Sequence, residues 1–223
     1  MNEIHLIKNL HFEDALFCNS LGERTNPFMR QGDLDSACAV YSLMMMLVLH
    51  QKVKRSELEF RESKPGYSSI KRLQDKFLHG MIGLYRGGYY FNTLSNELSS
   101  CFKSKATATT YSTIKKREDY VTKDELNRII MKNIDDGKPV EIGFTYKGQE
   151  CGHAVVAIGY QIYKDRMILY CFDPGFELPY TSFWNSVIEV DLEPDNRKKW
   201  TADYIRPTGF LDVVNVDEIL IID

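Results

Sequence analysis

The chain has 223 residues, 43% of them hydrophobic, 12% aromatic and 26% charged, which is the make-up of an ordinary globular protein with a substantial core and excludes a disordered chain. A formal net charge of -3 gives no electrostatic case for a nucleic-acid binder, and the local run of Lys103, Lys105, Lys115, Lys116 and Arg117 reads as a solvated face. Five cysteines, at positions 18, 38, 101, 151 and 171, are odd in number and lack CxxC spacing, so they argue against a disulfide scaffold or a zinc ribbon and for a reducing compartment.

In chain order, the opening string MNEIHLIKNLHFEDALF mixes acidic and apolar residues and has no basic segment followed by an unbroken apolar one, so no secretion signal is expected. The first strong element is a helix opening at Cys38 in QGDLDSACAVYSLMMMLVLH. It is apolar on nearly every face, which predicts a helix enclosed by protein, with its methionines in the core. Asp35 or Ser36 is placed to cap its first turn. Its strongly apolar part, Leu43 to Leu49, is far short of the roughly 20 residues that cross a bilayer. A cytoplasmic chain without a membrane span is therefore expected.

A second helix is predicted from Ser68 to about Leu78, after which Gly83, Gly87 and Gly88 break the pattern. The aromatics of RGGYYF (Tyr85, Tyr89, Tyr90 and Phe91) are assigned to core or strand packing in preference to a cleft lining. Thr122 and Glu125 have capping-box spacing and Gly137 follows the last turn, which marks a third helix. From Pro139 on, the runs PVEIGFTY, HAVVAIGY, RMILYCFD, VIEVDL and EILIID are short and rich in β-branched and aromatic residues. The linkers KGQECG and QIYKD suit hairpins, so these runs predict an antiparallel sheet with neighbours in sequence order. The fold class is α+β, with a helical lobe over about 1–137 and a β-rich lobe over about 138–223. No internal repeat is visible.

Three positions stand out chemically. A thiol at a helix N-terminus, Cys38, is favoured as thiolate by the helix dipole. His153 begins one predicted strand and Asp173 ends the next, and the start of one antiparallel strand lies opposite the end of its successor. An imidazole with a carboxylate behind it completes the activation of a nucleophilic cysteine. Each residue alone has a plainer reading: a small buried thiol, a structural histidine, a DPG turn. Cys151, His153, Cys171 and Asp173 also carry ligand-type atoms, but C-x-H and C-x-D are not zinc-knuckle spacings. No phosphate loop, dinucleotide fingerprint or HExxH string is present. No metal or cofactor is expected.

The strings QGDLDSACAVYSLMMML, DDGKPVEIGFTY leading into CGHAVVAIGY, and LYCFDPG, spanning roughly residues 31 to 176, resemble papain-like cysteine peptidases of the C39-like group. The resemblance implies one papain-like domain, 1–223, whose central nucleophile helix packs on a C-terminal antiparallel sheet. It implies Cys38 as nucleophile, His153 as general base and acid, Asp173 as the group orienting the imidazole, and Gln31 as oxyanion donor. Gln31 stands seven positions before Cys38, where five or six is common in that group. Asp33 or Asp35 could instead occupy the usual place, leaving the Cys38 backbone N–H as donor. Ala39 stands where glycine is frequent. The implied activity is peptide or isopeptide cleavage on a peptide or protein substrate, with no nucleic-acid or membrane partner. A noncatalytic papain-like interaction module, or a deamidase or acyltransferase using the same residues, is the alternative.

Overall fold

The computed structural model describes residues 3–32, 36–59, 68–79, 90–192 and 201–223. Gly83, Gly87, Gly88, Tyr85 and Tyr89, together with Asp33 and Asp35, lie outside the described residues.

The N-terminal part contains strands that the sequence reading did not find. β1 (Ile4–Leu6) is followed by the small sheet β2 (His11–Phe12), β3 (Leu16–Ser20) and β4 (Glu23–Thr25). These strands are only two to five residues long, too short for period-2 alternation to stand out. Helix α1 (Cys38–Leu49) begins at the predicted residue, and Met44, Met45 and Met46 are all in the core. Its N-cap is Ala37, with no side-chain cap hydrogen bond among the described residues, so Ser36 does not cap the helix. The short α2 (Arg55–Leu58) follows.

The second predicted helix exists but changes form within its length. α3 (Ser69–Gln74) is capped by Ser68, whose Oγ accepts from the Lys71 N–H at 3.1 Å, and it runs into a π-helical turn at Asp75–His79. Helix α4 (Phe91–Phe102) was not predicted. Its buried Phe91, Leu94, Leu98 and Cys101 nonetheless recur every three or four residues, so its stripe is present in the sequence. After β5 (Ala108–Ser112), helix α5 (Lys123–Asp135) matches the third predicted helix: the Thr122 Oγ1 accepts from the Glu125 N–H, and Gly137 takes φ +82° at the stop.

The C-terminal half is where the fold departs from an open sheet. The strands β6 (Val140–Tyr146), β7 (Gly152–Tyr163), β8 (Arg166–Phe172), β9 (Ser186–Asp191), β10 (Thr201–Ile205) and β11 (Leu211–Ile222) pair antiparallel in sequence order. β11 then returns to pair with β6, which closes the six strands into a barrel. Closure removes the sheet edges, and side chains such as Ile142, Phe144 and Tyr204, all nearly inaccessible, fill small interiors of this kind. β7 and β11 are 12 residues each, long enough to outrun their neighbours, so β1 joins the far end of β7 and β5 the far end of β11.

Helix α1 lies on the outside of β7 and β6. The Ser42 Oγ donates to the Ala154 carbonyl at 3.3 Å and ties the helix to the strand that carries His153. The buried side chains form one contiguous hydrophobic core running from Ile7 to Ile222. The chain is α+β. Among the described residues, no helix is long and apolar enough to cross a membrane.

Candidate active site

Cys38 is the first residue of α1, where the helix leaves N–H groups without intrahelical acceptors. Its sulfur meets the backbone N–H groups of Ala39 and Ala154 and the imidazole of His153. Burial by itself would push the thiol up, but the His153 hydrogen bond and charge, with the two N–H groups, outweigh it and hold the thiol below its ordinary value. The other cysteines differ. Burial raises Cys18 to about 11 and pushes Cys101 and Cys171 up as well, while Cys151 is exposed.

His153 is the second residue of β7, and its partner Asp173 follows the last residue of β8. The hairpin places them as the strand geometry requires: His153 Nε2 lies 2.7 Å from Asp173 Oδ1. That contact leaves Nδ1 as the ring nitrogen facing Cys38. The imidazole side chain is 12% exposed and the carboxylate 0%. Burial alone would lower the histidine, yet the Asp173 charge and hydrogen bond, together with Cys38, drive it up to about 10. Asp173 is held below the carboxylate range: burial opposes this, and the His153 charge, the Tyr204 hydroxyl and the Gly175 N–H prevail. The two directions, thiol down and imidazole up, both favour the thiolate–imidazolium form of the pair.

The acid is built in from both its main chain and its side chain. Asn185, 5% exposed, accepts from the Asp173 N–H at 2.7 Å and donates to the Asp173 carbonyl at 2.8 Å. The Gly175 N–H donates to Oδ1 at 2.7 Å, and the Tyr204 hydroxyl donates to Oδ2. Gly175 also presses on the pair, because a Cβ there would sit 3.1 Å from Asp173 Oδ1 and 3.5 Å from His153 Cε1. Sequence reasoning missed Asn185 and Tyr204. Neither position carries a local signal, since Asn185 meets Asp173 at the start of the β8–β9 pairing and Tyr204 meets it across the barrel interior.

Cys38 and His153 lie in a cleft of about 840 Å³ that Gln31 also lines. The Gln31 N–H donates to the Pro174 carbonyl at 2.9 Å, which anchors it beside the Asp173 turn, and its side-chain Oε1 is buried without a partner among the described residues. The opposite wall comes from the start of α4 and the middle of β11. Tyr90, 75% exposed, and the fully packed Phe91 line it; Tyr90 is thus a cleft residue, contrary to the packing expected for it, because it is the N-cap of a helix that opens onto the cleft. A register shift between Val216 and Glu218 turns Asp217 toward the cleft, where its Oδ2 accepts from the Thr145 Oγ1 at 2.7 Å. Arg117 departs from the solvated face expected of its basic run. It donates to Asp119 at 2.8 Å and to Glu218 at 2.5 Å, and its side chain is 19% exposed. Lys103, Lys105, Lys115 and Lys116 are exposed as expected.

Cys151 sits exposed at a hairpin end while Cys171 is sealed in the core, and among the described residues no group of three or more His, Cys, Asp or Glu side chains is placed to hold a metal ion.

A thiol at a helix start, beside a histidine backed by a carboxylate at an open cleft, brings together the groups that cysteine nucleophilic chemistry requires. The Peptidase_C39 like family model matches residues 24–187, and the chain belongs to that family, within the C39-like group of papain-like cysteine peptidases. A search of the curated proteins found no match for the chain.

Proposed function

We propose that this chain is a cysteine peptidase that cleaves a peptide or isopeptide bond, with Cys38 as nucleophile, His153 as general base and acid, and Asp173 as the residue that orients the imidazole. The observation that carries the reading is the placement of Cys38 and His153 in one cleft, with the imidazole backed by Asp173 at 2.7 Å. The Cys38 thiolate adds to the substrate carbonyl. The oxyanion that forms is stabilised by the Cys38 N–H and the Gln31 side chain, since both belong to the cleft. His153, protonated at neutral pH, gives its proton to the departing amine as the C–N bond breaks. Water, deprotonated by the now neutral His153, then adds to the thioester and expels the Cys38 thiolate, which restores the imidazolium.

The two-part arrangement, with α1 packed on the strands that carry His153, supports a papain-like organisation over one domain of 1–223. Its sheet is a closed barrel. All five cysteines are free thiols, in keeping with a reducing, cytoplasmic setting.

The test is labelling followed by turnover. A limiting amount of iodoacetamide at pH 6 should modify Cys38 ahead of the other four cysteines, as read by peptide mass spectrometry, and Cys38→Ser should keep the fold while losing hydrolysis of a mixed peptide library. A Cys38 no more reactive than exposed Cys151, or a serine variant that cleaves as fast as the parent, overturns the peptidase reading. An unreactive Cys38 would point to an interaction module.

A further inference from the structure

The buried carboxylate of Asp173 has two oxygens with separate partners. Oδ1 takes both the His153 ring N–H and the Gly175 N–H, each at 2.7 Å. Oδ2 is left to the hydroxyl of Tyr204, a residue 31 positions downstream on β10 that is itself 0% exposed. The Tyr204 ring stands inside the barrel, 4.9 Å from the ring of Phe144 and 6.4 Å from the rings of both Tyr146 and His153. This aromatic wall borders the Asp173–His153 contact. A carboxylate oxygen sealed in such a place without a donor is strongly disfavoured. It would rotate toward another donor or take up a proton, and either change releases the imidazole.

We propose that Tyr204 is a fourth member of the site, a positioning residue that acts through Asp173: its hydroxyl fixes the carboxylate plane and keeps it ionised, so that Oδ1 remains aimed at His153. The proposal rests on the cysteine-peptidase reading of the same site. Tyr204 touches neither the thiol nor the cleft, and its whole effect passes through the acid. Its own phenol is pushed far up, first by burial and then by the Asp173 charge, so it stays a proton donor throughout the working pH range. The groups facing Asp173 are His153 and the Gly175 N–H on one side, Tyr204 on the other, and Asn185 on its main chain.

The experiment reads the rate of Cys38 alkylation by iodoacetamide against pH, by mass spectrometry, in the parent, Tyr204→Phe, Asp173→Asn and the double variant. It needs no substrate. Loss of the hydroxyl lets Asp173 protonate at higher pH; the imidazolium then loses its counter-charge and the thiolate its partner. Tyr204→Phe should therefore move the acidic limb of the profile to higher pH and slow alkylation at pH 6 about tenfold, equivalent to about 1.4 kcal/mol. In the Asp173→Asn background the same change should add less than about twofold, because a residue acting through Asp173 has nothing left to act on. An unshifted limb in folded Tyr204→Phe, or a full-sized effect in the Asp173→Asn background, overturns the proposal. If Asp173→Asn itself leaves the profile untouched, it is the underlying site assignment that fails. Should Tyr204→Phe not fold, 3-fluorotyrosine in place of Tyr204 keeps the hydroxyl as a stronger donor and should move the limb to lower pH; no movement overturns the proposal.

Discussion

His153 and Asp173 are 20 residues apart in the chain and 2.7 Å apart in space, because β7 and β8 are antiparallel neighbours and the pair occupies the start of one strand and the end of the next. In the proposed mechanism the carboxylate has one geometric task, to hold the ring, while the proton moves through the opposite ring nitrogen. His153→Ala should lower the single-turnover acylation rate by roughly three orders of magnitude or more, on the scale seen when triad bases are removed. Asp173→Asn should retain more activity, since an amide oxygen can still accept from Nε2 and the Tyr204 hydroxyl can turn from donor to acceptor. Stopped acylation with a reactive thioester measures both. A rate in Asp173→Asn as low as in His153→Ala would overturn the view that the acid only holds the ring.

The raised histidine makes a pH prediction with a definite sign. Its folded value, about 10, lies above the ordinary 6.5, so the charged histidine stabilises the fold fully below about 6.5 and gives that stability up as pH rises toward 10. The urea midpoint of the parent should therefore fall between pH 6.5 and 10 by more than that of His153→Ala. A parallel decline in the two proteins would show that His153 is not charged at neutral pH.

Gly175→Ala inserts a Cβ that would stand 3.1 Å from Asp173 Oδ1 and 3.5 Å from His153 Cε1. The neighbours that must give way are the acid and the ring themselves. The variant should acylate about tenfold more slowly, a change of about 1.4 kcal/mol, with a thermal midpoint close to the parent's. Calorimetry and acylation kinetics on one preparation test the split between activity and stability.

Asn185→Ala removes both hydrogen bonds that clamp the Asp173 main chain. The buried Asp173 N–H loses its partner, at about 1–3 kcal/mol, while the carbonyl keeps the Phe176 N–H at 3.4 Å. Urea unfolding should show a loss of about 1–3 kcal/mol on that basis, together with slower acylation. Asn185→Asp should recover the acceptor half only.

Much of this site was legible in the sequence because it follows from local rules. An apolar run starting at Cys38 is a buried helix with its thiol at the N-terminus, and alternation with short linkers sets β7 beside β8, so that His153 must approach Asp173. Gln31 was legible only through its resemblance to the C39-like pattern, and the structure sets it in the cleft by a bond to Pro174 that no spacing rule contains. Helix α4 could have been read from the stripe Phe91, Leu94, Leu98, Cys101, whereas β1 to β4 were too short to show a period.

The sequence by itself determined the α+β class, the buried helix that opens at Cys38 and the hairpin that brings histidine to acid, because each depends on periodicity over a few neighbouring residues. Tertiary structure alone decided the rest. Whether the sheet stays open or closes depends on β11 reaching β6, a pairing across some 70 positions (Glu218 with Gly143, for example), and closure is what puts Tyr204 inside the barrel and against Asp173. It also leaves Asp217 turned to the cleft and Arg117 tied to Glu218. These contacts join residues whose local sequence says nothing of one another, and their geometry exists only once the barrel has closed.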